Sequence, residues 1–315
     1  MLSIPIVFST DHRYVMPTGV VIYSLLSVSP NNRYDIFVLI GDDVTDEDKK
    51  KLCTQVEQAA PSLLSQINFI ELKGMFSDAF EVRNITRATY YRLLIPWLIP
   101  QYDKIFYSDV DIIFVRDLGA LYKMDLGDNY IAGVNYEEYA NEEVAPYIKK
   151  IGLDPSKYVN AGFLLINSKA MRENNLKNLF QKYAKRNFLY QDQDILNIVC
   201  NERIAYLPMN CNCRAIHVAR YEKEDCLLIH YTGLKPWKGF TFCWDKWWDM
   251  YRKSIFYESD RQYKVSMEIM NVQGWTNEQF EIGSKPLVKA ARKVSLKFPG
   301  INKFLISCLR KISGK

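Results

Sequence analysis

No apolar run in this chain approaches the roughly 20 residues that a membrane-spanning helix needs. The first ten residues, Met1-Leu-Ser-Ile-Pro-Ile-Val-Phe-Ser-Thr, carry no positive cluster and lose their apolar character at Ser9, too early for a secretory signal. The expectation is a protein that stays in the cytoplasm. There is no internal repeat, no low-complexity linker before about residue 280, and no glycine-rich nucleotide loop near the N-terminus. Histidine is scarce, with only His12, His217 and His230, and a lone histidine is ordinarily structural. The seven cysteines are odd in number and scattered, which argues against a disulfide framework and for reduced thiols. Cys211 and Cys213 form a lone C-x-C without the four-ligand spacing of a zinc site.

Acidic residues are missing from one stretch. Residues 284–315 hold nine Lys or Arg and no Asp or Glu, leaving 32 basic against 36 acidic residues in the rest of the chain. The formal charge of +5 thus conceals a slightly acidic body with a basic tail. From Ile301 onward the apolar residues fall at helical spacing beside Lys303, Arg310 and Lys311, the pattern of an interfacial anchor for anionic lipid. The expected arrangement is a domain over residues 1–280 and a basic amphipathic helical tail over 281–315, attached peripherally to the inner face of a membrane. Nucleic acid is disfavoured as a partner because the tail's aromatics sit in the apolar stripe and the body would repel phosphate.

With 48% hydrophobic and 24% charged residues, the chain can bury a sizeable core. Short β-branched or aromatic runs alternate with helical patterns: Ile4 to Phe8, Gly19 to Leu26, Tyr34 to Ile40, Asp46 to Gln58, Ile67 to Leu72. This rhythm predicts an α/β fold with a mostly parallel central sheet covered by helices. Thr45 and Asp48 resemble a capping box. An amphipathic helix is expected over Arg87 to Leu98, then a buried strand from Tyr102 to Phe114 interrupted by two acids.

Those acids, Asp109 and Asp111, flank Val110 at the C-terminal end of the strand, where open α/β sheets place ligands. Residues i and i+2 of an extended chain point the same way, and a turn could also bring the two carboxylates together. Hard oxygen ligands of this kind suit Mg²⁺ or Mn²⁺, which also bridge diphosphate oxygens. Apolar neighbours Ile105, Phe106, Ile112, Ile113 and Phe114 would bury both charges without a cation to compensate.

Four motifs occur in order: Tyr107-Ser-Asp-Val-Asp, Tyr158-Val-Asn-Ala-Gly-Phe-Leu-Leu-Ile-Asn, Tyr190-Gln-Asp-Gln-Asp-Ile-Leu-Asn and His230-Tyr-Thr-Gly-Leu-Lys-Pro-Trp. Over roughly residues 4 to 250 the chain resembles glycosyltransferase family 8, which includes bacterial lipooligosaccharide α-galactosyltransferases and glycogenin. The resemblance implies a GT-A-type, Rossmann-like nucleotide-diphospho-sugar transferase fold, with a UDP-binding half to about residue 115 and a sugar and acceptor half over 116–250. It implies a UDP-hexose donor (UDP-galactose or UDP-glucose), a glycan or glycolipid acceptor such as a lipopolysaccharide core, Mn²⁺ or alternatively Mg²⁺ as cofactor, and retention at the anomeric carbon.

Carried over by position, Asp109, Asp111 and His230 match the family's metal ligands. Asp11 resembles the uracil-binding acid and Tyr14 the aromatic stacked on the base, with Arg13 replacing the family's Asn. Thr89 and Arg92 match residues at the ribose and donor sugar. Asn84 stands where the bacterial galactosyltransferase has His. Val110, Asn160, Ala161 and Gly162 line the donor, the small residues leaving room for a hexose. Gly233 would let the backbone approach the phosphates, and Lys235 matches the diphosphate contact, although His230 to Lys235 spans five positions where the family usually has six. Asp192 and Gln193 match the residues nearest the anomeric carbon. An amide is a poor nucleophile, so the resemblance implies front-face transfer rather than double displacement. A nucleotidyltransferase making UDP-sugars and a non-catalytic UDP-sugar binder are the rival readings.

Overall fold

The computed structural model describes residues 3–59, 65–72, 87–221 and 225–267. Asn84 and the tail over 281–315 lie outside the described residues. In chain order the elements are β1 (Ser3–Thr10), α1 (Val15–Ser27), β2 (Arg33–Ile40), α2 (Asp46–Ala59), β3 (Gln66–Glu71), a 3₁₀ segment (Arg87–Leu94), α3 (Ile95–Leu98), β4 (Lys104–Ser108), β5 (Ile112–Phe114), α4 (Gly119–Tyr122) and β6 (Ile131–Gly133). There follow α5 (Ala145–Lys150), β7 (Phe163–Asn167), α6 (Ser168–Glu173), α7 (Lys177–Ala184), α8 (Gln191–Cys200), β8 (Ile204–Tyr206), β9 (Cys213–Arg214), α9 (Ala215–Tyr221), β10 (Leu228–His230) and α10 (Trp244–Lys253).

Seven strands form one sheet in the order β3-β2-β1-β4-β7-β6-β8, in which only β7 runs antiparallel to its neighbours. Side chains alternate across it, Ile6 and Phe8 packing with α1 and α2 while Val7 and Tyr107 pack with the 3₁₀ segment, α3 and α8. Strands covered on both faces must be apolar throughout, which is why β1 and β2 read as continuous hydrophobic runs. A smaller sheet, β5-β10-β9, lies beside it. The chain divides into two compact units, one of Met1–Pro236 and Phe240–Tyr257 and the other of Trp237–Gly239 and Glu258–Lys315. Among the described residues no helix is long and apolar enough to cross a membrane.

The five early elements fall where the sequence rhythm puts them, and the expected capping box forms: Asp48 N–H donates to Thr45 Oγ1 (3.1 Å) and Thr45 N–H to Asp48 Oδ2 (2.9 Å). Three expectations are corrected. The Arg87 to Leu98 stretch is a 3₁₀ segment followed by a four-residue helix, since Pro96 has no N–H to give a longer α-helix. The Tyr102 to Phe114 run is not one strand: β4 stays in the large sheet and β5 turns into the small one, so Asp109 and Asp111 occupy the corner between them. Finally, Cys213 and Cys226 are joined in a disulfide. Parallel pairing of β9 with β10 sets Cys213 opposite Ile229 and draws Cys226 to a Cα separation of 6.1 Å, a proximity that scattered positions in sequence do not reveal. Cys53, Cys200, Cys211 and Cys243 are free, so the C-x-C is not a joint ligand pair.

Candidate active site

Strand directions bring the motifs to one edge. Because β4 runs parallel to β1 and antiparallel to β7, Ser108 lies beside both Phe8 and Phe163. The residues leaving β4 therefore meet those leaving β1 (Asp11) and those entering β7 (Asn160-Ala161-Gly162). Asp109 N–H donates to Gly162 O at 2.7 Å. Once β5 has turned away it pairs antiparallel with β10, Ile112 opposite His230, and Tyr231 N–H donates to Asp111 O at 2.9 Å. An imidazole more than a hundred positions away is thus delivered to the two acids.

Asp109, Asp111 and His230 offer ligand atoms that all lie within 4.8 Å of one another. His230 Nε2 is 3.3 Å from Asp111 Oδ1 and 4.0 Å from Asp109 Oδ2. The imidazole tautomer follows from a chain of bonds that begins at a backbone donor. Gly162 N–H donates to Asn160 Oδ1 (3.0 Å), which also receives Asn212 Nδ2 (3.0 Å). Asn212 Oδ1 then faces His230 Nδ1 at 3.1 Å, so Nδ1 carries the hydrogen, and the neutral imidazole presents the Nε2 lone pair to the acids. Asp111 Oδ1 is buried and has no hydrogen-bond partner. Two lone pairs facing each other across 3.3 Å in a buried site repel unless a cation intervenes, and one nitrogen with two carboxylates is a donor set that Mn²⁺ accepts. Asn212→Ala is expected to weaken Mn²⁺ binding about 10- to 100-fold through loss of this orientation, measured by EPR titration of free Mn²⁺. An unchanged affinity would show that Asn212 does not set the tautomer.

Arg92 is the hub behind the acids. Its buried guanidinium meets Asp109 Oδ1 (2.8 Å) and Asp192 Oδ2 (2.9 Å), donates to Ala161 O (2.7 Å), and lies 4.3 Å from the Tyr107 ring centroid. Burial alone would favour the neutral form, but Asp109 and Asp192 outweigh it and hold the group charged. Thr89 and Arg92 share a face because positions i and i+3 eclipse in a 3₁₀ helix, and Thr89 Oγ1 donates to Asp192 Oδ1 at 2.5 Å. Tyr107 Oη donates to Asp109 Oδ1 at 2.8 Å. That oxygen is therefore fully engaged, and Oδ2 is the one turned to His230. Burial pushes the Asp192 carboxyl up to about 6 despite Arg92 beside it.

Lys235 binds Asp111 Oδ2 and donates to Tyr231 O at 3.0 Å. Burial would raise the Asp111 carboxyl, yet the Lys235 ammonium bound to it outweighs this and holds it well below the usual range. The expected diphosphate lysine thus stands at the acid pair itself. Gly233 has φ +87°, a backbone conformation that favours glycine, and a Cβ added there would meet no protein atom within 4 Å. At Gly162 a Cβ would lie 2.3 Å from His230 Cε1 and 2.8 Å from Asp109 Oδ2, so the lack of a side chain there lets those two groups come together.

At the end of β1, Asp11 caps the following turn by accepting from Tyr14 N–H (3.1 Å), and its other oxygen takes Arg13 (3.1 Å). Tyr14 is half-buried and near enough to Lys235 to influence its charge. Gln193, in the first turn of α8, accepts from Ala161 N–H and Asn160 Nδ2, both at 3.1 Å. Asp194, also in the first turn of α8, is buried and receives Tyr158 Oη (2.5 Å), Tyr147 Oη (2.6 Å) and Tyr190 N–H (2.9 Å). Val110 is buried between the acids.

Sequence reasoning missed Asn212 and Tyr139. Asn212 lies between Cys211 and Cys213, and the flanking thiols are the more conspicuous feature of that tripeptide. Tyr139, in a four-residue 3₁₀ turn (Glu137–Ala140), accepts from Asn160 Nδ2 (3.2 Å) and Gln193 Nε2 (3.3 Å), and belongs to no motif.

Comparison with known proteins agrees with this geometry. The sequence pattern described as Glycosyl transferase family 8 matches residues 5–241. A Haemophilus influenzae protein whose given name is that of a glycosyltransferase is 28% identical over 243 residues, 72% of this chain and 71% of the relative. Among solved structures, galactosyltransferase LgtC in complex with donor and acceptor sugar analogs superposes with a TM-score of 0.69 at 24% identity, over 83% of this chain and 100% of that one. The bifunctional glycosyltransferase WbbM gives the same TM-score of 0.69 at 24% identity over 85% of this chain, which spans only 52% of WbbM. The fold is the mixed α/β arrangement of these transferases, and the chain belongs to glycosyl transferase family 8.

Proposed function

We propose that this chain is a metal-dependent, retaining glycosyltransferase that moves galactose or glucose from its UDP-linked donor to a glycan acceptor. The observation that carries the reading is the unpartnered, buried Asp111 Oδ1 facing the lone pair of His230 Nε2 at 3.3 Å. Asp109, Asp111 and His230 would hold Mn²⁺, whose charge when bound offsets that of the donor diphosphate.

The remaining roles fall to the chain's own groups. Arg92 holds Asp109 and Asp192 in fixed relation through one rigid guanidinium, so the carboxylates are oriented before substrate arrives. Lys235, already at Asp111, is placed to follow the growing negative charge on departing UDP. Asp192, beside Thr89 and Arg92, would hold donor hydroxyls. Gln193 has its oxygen tied to Ala161 N–H and Asn160, which makes it a spacer and a dipole at the sugar, not a nucleophile. In the transfer, the bond between the anomeric carbon and the β-phosphate oxygen breaks, the acceptor hydroxyl oxygen bonds to that carbon from the same face, and its proton passes to the departing phosphate oxygen.

A panel of UDP-sugars with Mn²⁺, scored by UDP release with and without simple glycoside acceptors, tests the reading. UDP-galactose or UDP-glucose is expected to give metal-dependent UDP release that EDTA stops. Pyrophosphate release from UTP and a sugar phosphate would point instead to a nucleotidyltransferase, and tight donor binding without any turnover to a binding protein.

A further inference from the structure

Around Gln193 almost every hydrogen-bonding position is spent. Its Oε1 accepts from Ala161 N–H and Asn160 Nδ2 (3.1 Å each), and its Nε2 donates to Tyr158 Oη (3.2 Å) and Tyr139 Oη (3.3 Å). A backbone N–H can only donate, so Ala161 fixes which end of the amide is oxygen. Tyr158 passes its own hydrogen to Asp194 Oδ1 at 2.5 Å. Tyr139 Oη receives both Gln193 Nε2 and Asn160 Nδ2 (3.2 Å), which fills its lone pairs and leaves its hydrogen with no acceptor among the described residues.

That hydroxyl is held firmly in place. The Tyr139 ring stands edge-on to Tyr158 with centroids 4.9 Å apart and packs against Tyr136 at 5.7 Å. Its turn is tied down by Glu138, which binds Arg214 and His217 (2.7 Å); Arg214 Nε in turn donates to Thr232 Oγ1 at 2.8 Å, two residues after His230. Through Asn160 and Asn212 it is also linked to His230 itself. Burial raises the phenol to about 12, so it stays a donor throughout the physiological range.

We propose that Tyr139 is a specificity-determining contact whose unspent O–H donates to one hydroxyl oxygen of the hexose being transferred. The proposal rests on the UDP-hexose reading above. Asn160 and Gln193, its two partners, belong to the motifs at the expected sugar position, and a donor locked in one orientation can read the direction of a single hydroxyl. Galactose and glucose differ by just such an orientation, and a site built to hydrogen-bond a hydroxyl discriminates more sharply than an apolar pocket of the same size. Tyr139 lies in the Tyr136-Glu-Glu-Tyr139 segment, outside the four motifs that carry the family resemblance.

Tyr139→Phe keeps the ring packing and removes the hydroxyl. Calorimetric titration of wild type and variant, with Mn²⁺ present, would use UDP, UDP-galactose, UDP-glucose and the monodeoxy-hexose analogues of the preferred donor. UDP is expected to bind both proteins alike, while the preferred UDP-hexose binds the variant about tenfold more weakly. One monodeoxy analogue should bind both proteins equally, because it lacks the hydroxyl that Tyr139 contacts. Equal affinity of the two proteins for every ligand overturns the proposal. So does a uniform loss across UDP and all analogues, which would mark a role in holding Gln193 and Asn160 only. Failure of the wild type to bind any UDP-hexose would instead remove the functional reading beneath it.

Discussion

Asp111→Asn is expected to lower UDP release by at least about 10²- to 10³-fold, the several kcal/mol that a catalytic cation contributes in such sites. The substitution is nearly isosteric, so the loss should not arise from misfolding. In the wild type, Asp111 Oδ1 is buried without a partner and faces an imidazole lone pair at 3.3 Å. An amide can turn its NH₂ toward that lone pair and satisfy it without any metal. The Lys235 ammonium would lose its carboxylate, but it is one-fifth exposed and retains Tyr231 O at 3.0 Å. The metal-free variant should therefore melt close to the wild type or slightly above it. On the proposed function Mn²⁺ binds the folded protein only, and it should raise the melting temperature of the wild type and leave the variant unmoved. A variant that Mn²⁺ still stabilises as well as it does the wild type, with full turnover, would remove Asp111 from the cation's ligands and with it the proposed function.

How much of this site could be read from sequence depends on what each residue's role requires. Asp109, Asp111 and His230 are legible because a motif carries them and because two acids inside an apolar run are costly without a partner. The early βαβαβ rhythm is legible because each element's pattern is local. What could not be read is whatever register decides. Nothing about Tyr102 to Phe114 announces that the chain changes sheets at Asp109, since both halves are equally apolar, yet that corner is what turns the two carboxylates toward β10. Arg92 is picked out only by the family resemblance, on what the sequence suggests is an amphipathic helix; that it lies buried between two acids, on a 3₁₀ segment, is a tertiary fact. Asn212 acts through β9 being paired to β10, and Cys213 meets Cys226 for the same reason. Tyr139 depends on a turn with no pattern at all.

The two glycines separate local from tertiary causes most clearly, and they lead to the second large effect. Gly233 sits at φ +87° in open space, a backbone requirement that a sequence reader can suspect from a Thr-Gly turn. Gly162 needs no unusual backbone; what it needs is the absence of a side chain. A Cβ would fall 2.3 Å from His230 Cε1 and 2.8 Å from Asp109 Oδ2, far inside van der Waals contact. Neither neighbour can retreat. His230 is fixed by Asn212 and by strand partners on both sides of β10, while Asp109 is fixed by Arg92 (2.8 Å), Tyr107 (2.8 Å) and its own N–H on Gly162 O (2.7 Å). Gly162→Ala must therefore spread the ligand set or push the start of β7 away from β4. Overpacking of this kind costs about 1–3 kcal/mol of stability. A displacement near 1 Å at the reacting groups lowers turnover about 10²-fold. Gly41→Ala is the matched control, since its Cβ would meet Asp43 Oδ1 and Tyr91 Oη only at 3.5 and 3.6 Å, ordinary contact distances. Mn²⁺ affinity by EPR, melting temperature and UDP release should all fall for Gly162→Ala and hold for Gly41→Ala. Wild-type Mn²⁺ affinity in Gly162→Ala would mean that His230 and Asp109 do not share one ion across that glycine, because no arrangement that leaves both in place can also admit the methyl group.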